Sequence, residues 1–279
     1  MISRPLGSED ECLLVAAWFG VEHILKTQHK VVFRDLFGDS VFTENGDAWK
    51  AQRQAIGVVF THTALQKFAE NIVSSEISDR LIPVLSDAAK ENKVIDLQDL
   101  LKRFAFDNIC EVSFGYNPGY VAPSMPDAKL VRAFDEALML CHNRFHAIFP
   151  IIWKVCRFFN IGSEKRLSDF VQMLREFVKG IIESIQQNLE TGIQETNNST
   201  LSIFLKTGQF DEKLVIDMMI SFIIAGQDTT SAALTWFKVI SAAGDDFNPI
   251  YVPETTAKMH GGFPVRIEER VQVEPRDVN

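Results

Sequence analysis

The stretch DEKLVIDMMISFIIAGQDTTSAALTWF, residues 211–237, decides the fold. Between Leu214 and Ala225 it is apolar on every side of a helical wheel, apart from Asp217 and Ser221. Such a pattern is typical of a helix that lies inside a large core. The run is too short to span a bilayer, and Asp217 interrupts it. The sequence therefore predicts a long buried helix at this position.

A polar patch, Ala225-Gly226-Gln227-Asp228-Thr229-Thr230, lies within that predicted helix. Thr229 can turn its hydroxyl back to the carbonyl of Ala225, which competes with the helix ladder and favours a local kink. Gly226 leaves room beside the kink for a small ligand. Asp228 next to Thr229 forms an acid–alcohol pair that could pass protons. The alternative is an ordinary helix interrupted by a Thr-rich turn.

A second candidate site is Trp49-Lys50-Ala51-Gln52-Arg53, in a helix predicted to follow the turn at residues 45–47. Because residues four apart share a helix face, the Trp49 N–H and the Arg53 guanidinium point the same way. Together they offer donors suited to a carboxylate. The alternative is a half-buried Trp beside an exposed Arg, and the spacing taken alone favours this alternative.

The remaining pattern predicts a mainly α-helical protein. Apolar residues at helical spacing indicate further helices at residues 65–85, 97–112, 129–142 and 167–189. Prolines and glycine make residues 117–126 a loop. Residues 255–259 and 265–267, separated by Gly261-Gly262, predict a β-hairpin near the C-terminus.

Composition excludes several classes of protein. The chain has 279 residues, a formal net charge of −9 and no dense run of Lys or Arg, so it is not expected to bind nucleic acid. The cysteines are few and widely spaced, and the six histidines are scattered, so no metal site is predicted. The cysteines are Cys12, Cys110, Cys141 and Cys156.

The two candidate sites, in this order and on helices, resemble the cytochrome P-450 superfamily. Shorter matches narrow the resemblance to the plant fatty-acid ω-hydroxylases. These matches lie at residues 21–27, 106–110, 114–116, 160–166, 231–237 and 261–266. The resemblance covers most of residues 21–237 and resumes near Val252.

The resemblance implies an incomplete cytochrome P-450 fold, mainly α, with a small C-terminal β-hairpin. Residues 1–237 would be the helical part up to and including the oxygen-groove helix, 238–251 a junction where the family core is missing, and 252–279 the terminal hairpin and tail. After Phe237 the chain has neither the family's E-x-x-R helix nor its F-x-x-G-x-R-x-C-x-G loop. Loss of these parts is expected to expose one side of the helix at 214–237.

The resemblance also implies roles for the patch at residues 225–230. Asp228 and Thr229 would relay protons to bound oxygen as the catalytic pair. Ala225, Gly226 and Thr230 would shape the oxygen groove.

Outside the patch, the resemblance implies that Trp49 and Arg53 hold a heme propionate. Phe263 and Pro264 would line the substrate cavity. No metal ligand is assigned, because the axial cysteine is absent and that thiolate holds the iron.

As a whole, the family implies a heme monooxygenase that oxidises the far end of fatty acids or related amphiphiles. Its electrons come from NADPH-cytochrome P-450 reductase, at the endoplasmic reticulum membrane. No membrane anchor is visible in residues 1–10. The alternative is a non-catalytic remnant (a splice form, a pseudogene product or a mis-assembled gene model) that does not bind heme through a thiolate. For the chain as it stands, the missing cysteine favours this alternative.

Overall fold

The computed structural model describes residues 30–61, 67, 69–147, 149–190, 199–242, 251–253, 256–259 and 261–268. Within these ranges the protein is mainly helical, as the sequence predicted. The helices are α1 (30–37), α2 (Gly46–Val59), α3 (Ala69–Val73, Ser74–Glu76, Ile77–Leu81 and Ile82–Lys90 in succession), α4 (Leu97–Phe114), α5 (Lys129–Phe145), α6 (Pro150–Phe159), α7 (Gly162–Glu190), α8 (Thr200–Thr207) and α9 (Glu212–Ala242). Two parts of α3, Ala69–Val73 and Ile77–Leu81, are π-helical.

Local sequence signals explain where several helices begin and end. The Asp96 carboxylate accepts hydrogen bonds from the backbone N–H groups of Gln98 and Asp99, which caps the start of α4. Gly115 ends α4 with a φ of 69°, a left-handed conformation that glycine adopts without strain. Pro150 begins α6, at a position where its missing N–H costs nothing.

The core lies where α9 packs on α4 and where α5 packs on α7. Each of these helices contributes a side chain that is almost completely buried, namely Phe106 of α4, Phe134 of α5, Leu174 of α7 and Met218 of α9. Full burial of an apolar side chain of this size contributes about 1.5–3 kcal/mol. The helix predicted from residues 211–237 is thus the centre of the core.

An aspartate lies inside this core on the buried part of α9. Asp217 is fully buried, and Arg175 of α7 places a guanidinium nitrogen 2.6 Å from its Oδ1. The backbone N–H of Asp39 donates to its Oδ2 over 2.9 Å. A Cβ on Gly38 would meet the same carboxylate at 1.9 Å, so only glycine fits there. These contacts fasten the end of α1 and the middle of α7 to α9.

The four described strands are β1 (Val94–Asp96), β2 (Tyr251–Pro253), β3 (Ala257–Met259) and β4 (Pro264–Arg266). The C-terminal hairpin exists, but it joins β2 to β3 antiparallel, with Tyr251 opposite Met259. The predicted pairing of residues 255–259 with 265–267 is wrong, because β4 pairs antiparallel with β1 instead. The predicted division into residues 1–237, 238–251 and 252–279 stays a prediction. Helix α9 continues past Phe237 to Ala242.

The solvent exposure of α9 differs from the prediction that one side of the helix at 214–237 is exposed. Residues 215–224 are buried on all sides. Between residues 214 and 236, the exposed residues are Thr229, Thr230, Ala233 and Leu234. The large exposed apolar side chains concentrate instead on and beside α6: Phe149, Ile151, Ile152, Val155, Phe158, Phe159 and Ile161. None of the described helices is both long and apolar enough to cross a membrane.

Replacing Arg175 with methionine is expected to lower the free energy of unfolding by about 3 kcal/mol, because Asp217 would remain as a buried carboxylate without its cation. The matched control is Arg166→Met, which breaks an exposed pair with Glu136 and should cost less than about 1 kcal/mol. Urea unfolding of the two variants measures the difference. Equal losses would contradict the assigned role of Arg175.

Candidate functional site

The polar patch at residues 225–230 lies where α9 changes from full burial to one-sided exposure. The helix is continuous through the patch, so the predicted kink does not interrupt it. Ala225 and Gly226 are half-buried, and Asp228 is only 4% exposed. Thr229 and Thr230 are exposed. The patch therefore presents its threonines outward and its carboxylate inward.

The predicted hydrogen bond of Thr229 is confirmed. Its Oγ1 donates to the carbonyl oxygen of Ala225 over 2.6 Å. Thr235 repeats the arrangement and donates to the carbonyl oxygen of Ser231 over 2.7 Å. Both hydroxyls thus use acceptors within α9 itself, which lets polar residues occupy a packed helix.

Gly226 allows close packing of two helices. A Cβ at this position would lie 2.6 Å from Cγ1 of Ile109, a side chain of α4. Ile109 fills this space because α9 and α4 approach each other closely. The role of Gly226 in an oxygen groove, with room for a small ligand beside it, stays a prediction.

Asp228 faces the C-terminal strands. The ammonium nitrogen of Lys258, on β3, lies 3.3 Å from Asp228 Oδ1. Lys258 also lies 3.3 Å from Oδ1 of Asp135 on α5, whose Oδ2 is 2.7 Å from the ammonium of Lys102 on α4. Sequence reasoning missed Lys258, Asp135 and Lys102, because no spacing rule relates three residues that only the tertiary fold brings together.

Trp49 and Arg53 project outward from α2. Trp49 is 40% exposed and Arg53 is also exposed, whereas Gln52 and Ile56 are buried. The Gln52 amide donates to the carbonyl oxygen of Asp39 over 2.9 Å, so this opposite face attaches α2 to the protein. The helices on which α9 packs most extensively are α4, α7 and α8, and α2 is not one of them. The propionate role of Trp49 and Arg53 stays a prediction.

Phe263 and Pro264 lie beside the N-terminal end of α4. Phe263 is buried and forms a cluster with Met259, and Leu97 of α4 and Trp236 of α9 pack against this cluster. Its carbonyl accepts from Leu97 N over 2.8 Å, and its N–H donates to Asp96 Oδ1 over 2.9 Å. Pro264 is exposed and begins β4, opposite Asp96. The structure thus brings Phe263 close to α9, while the substrate-cavity role of both residues stays a prediction.

Comparison with known proteins places the chain in a family. The sequence profile of the cytochrome P-450 family matches residues 20–237. The chain is a member of the cytochrome P-450 family. The family and the mainly α fold expected from the motifs are confirmed.

The similar proteins include plant members of this family. Cytochrome P-450 94A1 of Vicia sativa is 42% identical over 226 residues, which is 78% of this chain and 44% of that protein. Cytochrome P-450 94A2 of the same plant is 41% identical and covers 85% and 48%. Cytochrome P-450 94B1 of Arabidopsis thaliana is 40% identical and covers 81% and 46%. The chain therefore spans about half the length of the curated relatives it matches.

A solved structure supports the fold. The crystal structure of a cytochrome P-450 (CYP102L1) superposes with a TM-score of 0.64 and 20% identity. The superposition covers 79% of this chain and 48% of the other. At this identity the likeness concerns the arrangement of the backbone.

The family implies a heme, and members of the family bind its iron through a cysteine thiolate. Cys110 and Cys141 are fully buried in α4 and α5. Burial raises the pKa of the Cys110 thiol well above its ordinary value and that of Cys141 to about 12, so both stay protonated. Cys156 is half-buried on α6, and Cys12 lies outside the described residues. Within the described ranges no group of three or more His, Cys, Asp or Glu side chains could hold a metal.

Cys110 and Cys141 do not fit the heme of the family. Both thiols are enclosed in the packed helical core, so neither has an open position beside its sulfur for iron and a porphyrin ring. Trp49 and Arg53 do not replace an iron ligand, because their N–H groups could bind only a propionate. No reaction step through heme is therefore derived from Cys110 or Cys141.

Gly226→Ala is expected to lower the free energy of unfolding by about 1–3 kcal/mol, because the new methyl group would collide with Ile109. Gly180→Ala in α7 is the matched control. Nothing lies within 4 Å of its Cβ position, so this change should stabilise the helix by about 0.5–1 kcal/mol. Urea or thermal unfolding gives both values. A stabilised Gly226→Ala variant would contradict the close approach of α9 to α4.

In mildly alkaline solution, a thiol-alkylating reagent is expected to modify Cys156 at least about tenfold faster than Cys110 or Cys141. A thiol whose pKa is raised to about 12, as at Cys141, forms little reactive thiolate until the pH approaches that value. Peptide mass spectrometry follows each site, and denatured protein is the control in which the difference should disappear. Equal rates in the folded chain would show that the two thiols are accessible.

Proposed function

We propose that the protein to which this chain belongs is a monooxygenase that hydroxylates the far end of a fatty acid or similar long amphiphile. The observation that carries the proposal is the occurrence of both family motifs on helices, with A-G-x-D-T-T inside the buried helix α9. Identities of 40–42% with plant cytochromes P-450 of the 94 group support it. NADPH-cytochrome P-450 reductase as electron donor, and the endoplasmic reticulum membrane as location, belong to the same proposal.

Within this proposal, Asp228 and Thr229 remain the candidates for proton transfer. The hydroxyl of Thr229 is exposed and the carboxylate of Asp228 is buried beside Lys258, so the two groups occupy different environments. Ala225 and Thr230 flank them on α9 as the proposed walls of the oxygen groove. Because the sequence lacks the family's cysteine loop, no reaction step is assigned to these residues.

A second candidate is a non-catalytic form of the same protein. Two observations favour it. Cys110 and Cys141 are enclosed in the helical core, and the sequence between Phe237 and Tyr251 contains neither the E-x-x-R nor the cysteine motif. In this form the chain would bind at most a lipid or a partner protein.

Carbon monoxide binding separates the two candidates. The chain is expressed with added heme, purified, reduced and exposed to carbon monoxide, with cytochrome P-450 94A1 of Vicia sativa treated identically as a control. We expect no Soret band at the wavelength that names the family, because the sequence lacks the loop from which the family's cysteine ligand comes. If that band appears, Cys→Ser variants at positions 12, 110, 141 and 156 identify the ligand, and the non-catalytic candidate fails.

The transcript provides an independent test of the monooxygenase. Sequencing across the codons for Phe237 to Tyr251 shows whether a longer form exists. A longer form that encodes the E-x-x-R and cysteine motifs should hydroxylate fatty acids at the far end when supplied with the reductase and NADPH. A transcript without that stretch, in every tissue sampled, would contradict the proposal for this gene.

A further inference from the structure

Asp228 is a buried acid on the most buried helix. Its residue is 4% exposed, and neither carboxylate oxygen accepts a hydrogen bond from the described residues. Asp217, the other aspartate on α9, has Arg175 and a backbone N–H as partners. A buried carboxylate without hydrogen bonds is costly unless a cation lies close to it. For Asp228 the cation within 4 Å is Lys258.

The ammonium of Lys258 is itself largely withdrawn from solvent, with its side chain 10% exposed. It lies between two carboxylates, at 3.3 Å from Asp228 and 3.3 Å from Asp135. Asp135 in turn lies 2.7 Å from Lys102, so charges alternate along the row Lys102–Asp135–Lys258–Asp228. The row contains two cations and two anions, and it runs from partly exposed groups on α4 and α5 to the interior carboxylate of α9.

The backbone of β3 is fixed by contacts that do not involve this charge. Met259 N donates to Gln98 Oε1 over 2.9 Å, and Gln98 Nε2 donates to the Met259 carbonyl over 3.3 Å. Val252 of β2 lies opposite Lys258 in the antiparallel pair. The side chain of Met259 is buried beside Phe263. The strand therefore fixes the backbone of Lys258, and the two carboxylates hold the ammonium at the end of its flexible side chain.

We infer that Lys258 is the positioning residue of Asp228: its ammonium is the counter-ion of the buried carboxylate, and it ties α9 to β3 and, through Asp135, to α5. The significance of Asp228 as a proton-transfer residue rests on the proposed function, whereas the ionic contact does not. The C-terminal strands thus supply the counter-ion for the acid of the A-G-x-D-T-T patch.

Isotope-edited infrared spectroscopy tests the ionic pairing of the Asp228 carboxylate with Lys258. The full chain is used, with labelled aspartate and without heme. In Lys258→Met we expect a new carbonyl band of a protonated carboxylic acid, because a buried carboxyl that loses its cation becomes neutral. The band should be absent from the double variant Lys258→Met/Asp228→Asn, which assigns it to Asp228. Lys258→Arg should restore the wild-type spectrum, since it keeps the positive charge.

Lys102→Met is the matched control. It removes a lysine from Asp135, which is 24% exposed, and leaves the contact of Lys258 with Asp228 intact. The Lys102→Met variant should show no protonated-acid band from Asp228, that is, no band that disappears when Asp228→Asn is added. A Lys258→Met variant that folds without the band, or a Lys102→Met variant with an equal band from Asp228, would overturn the inference.

Unfolding by urea keeps the test informative if Lys258→Met folds poorly. Breaking a buried pair from one side lowers the folded-to-unfolded ratio by roughly 100-fold or more. Removing the charge of Asp228 in the double variant should recover most of that loss. If Lys258→Met and the double variant lose stability equally, Lys258 acts through packing and the inference fails. Neither experiment requires carbon monoxide binding, so their outcome is separate from that of the proposed function.

Discussion

Two carboxylates inside the central helix constrain the arrangement of the whole chain. Asp217 and Asp228 both lie on α9 and are almost completely buried. Neither has its cation within α9, since Arg175 comes from α7 and Lys258 from β3. A helix that is otherwise apolar can hold such charges only if elements distant in sequence supply the counter-ions. The correct packing of α7 and of the C-terminal strands is therefore coupled to the burial of α9.

The same helix depends on a very close neighbour at its midpoint. Gly226 has no side chain, and Ile109 of α4 occupies the space that a Cβ would need. The sequence motif places this glycine next to the acid and the threonines, so one short stretch serves packing and polar placement together. Gly226 is thus a point of close contact between two helices, and its role in an oxygen groove stays a prediction.

The sequence predicted the long helices well because their apolar spacing is regular. α4, α5, α7 and α9 were all expected. α1, α6 and α8 were missed. α6 has apolar residues at helical spacing, but it spans only ten residues and this apolar face is mostly exposed instead of packed in the core, and α8 spans only eight residues. The pairing of β4 with β1 joins segments far apart in sequence, which no local pattern reveals.

The sequence predicted which residues form the candidate site, but it did not predict what surrounds their side chains. The motif located Asp228 and Thr229, and the hydroxyl of Thr229 bonds where expected. That the two side chains face different surroundings depends on β3 and on the exposed side of α9, which only the tertiary structure defines. Lys258 could not be found from sequence, because a single lysine in a C-terminal strand has no distinguishing pattern.

The apolar surface of α6 has a practical consequence. Phe158 and Ile151 of α6 are 83% and 65% exposed, and Phe149 just before the helix is 65% exposed, whereas Trp153 is the buried side chain of this helix. Contiguous apolar area of this kind promotes self-association in water. Precipitation of the purified chain would therefore begin at α6, and detergent or a polar substitution at Phe158 would act there, without any change in how α9 is packed.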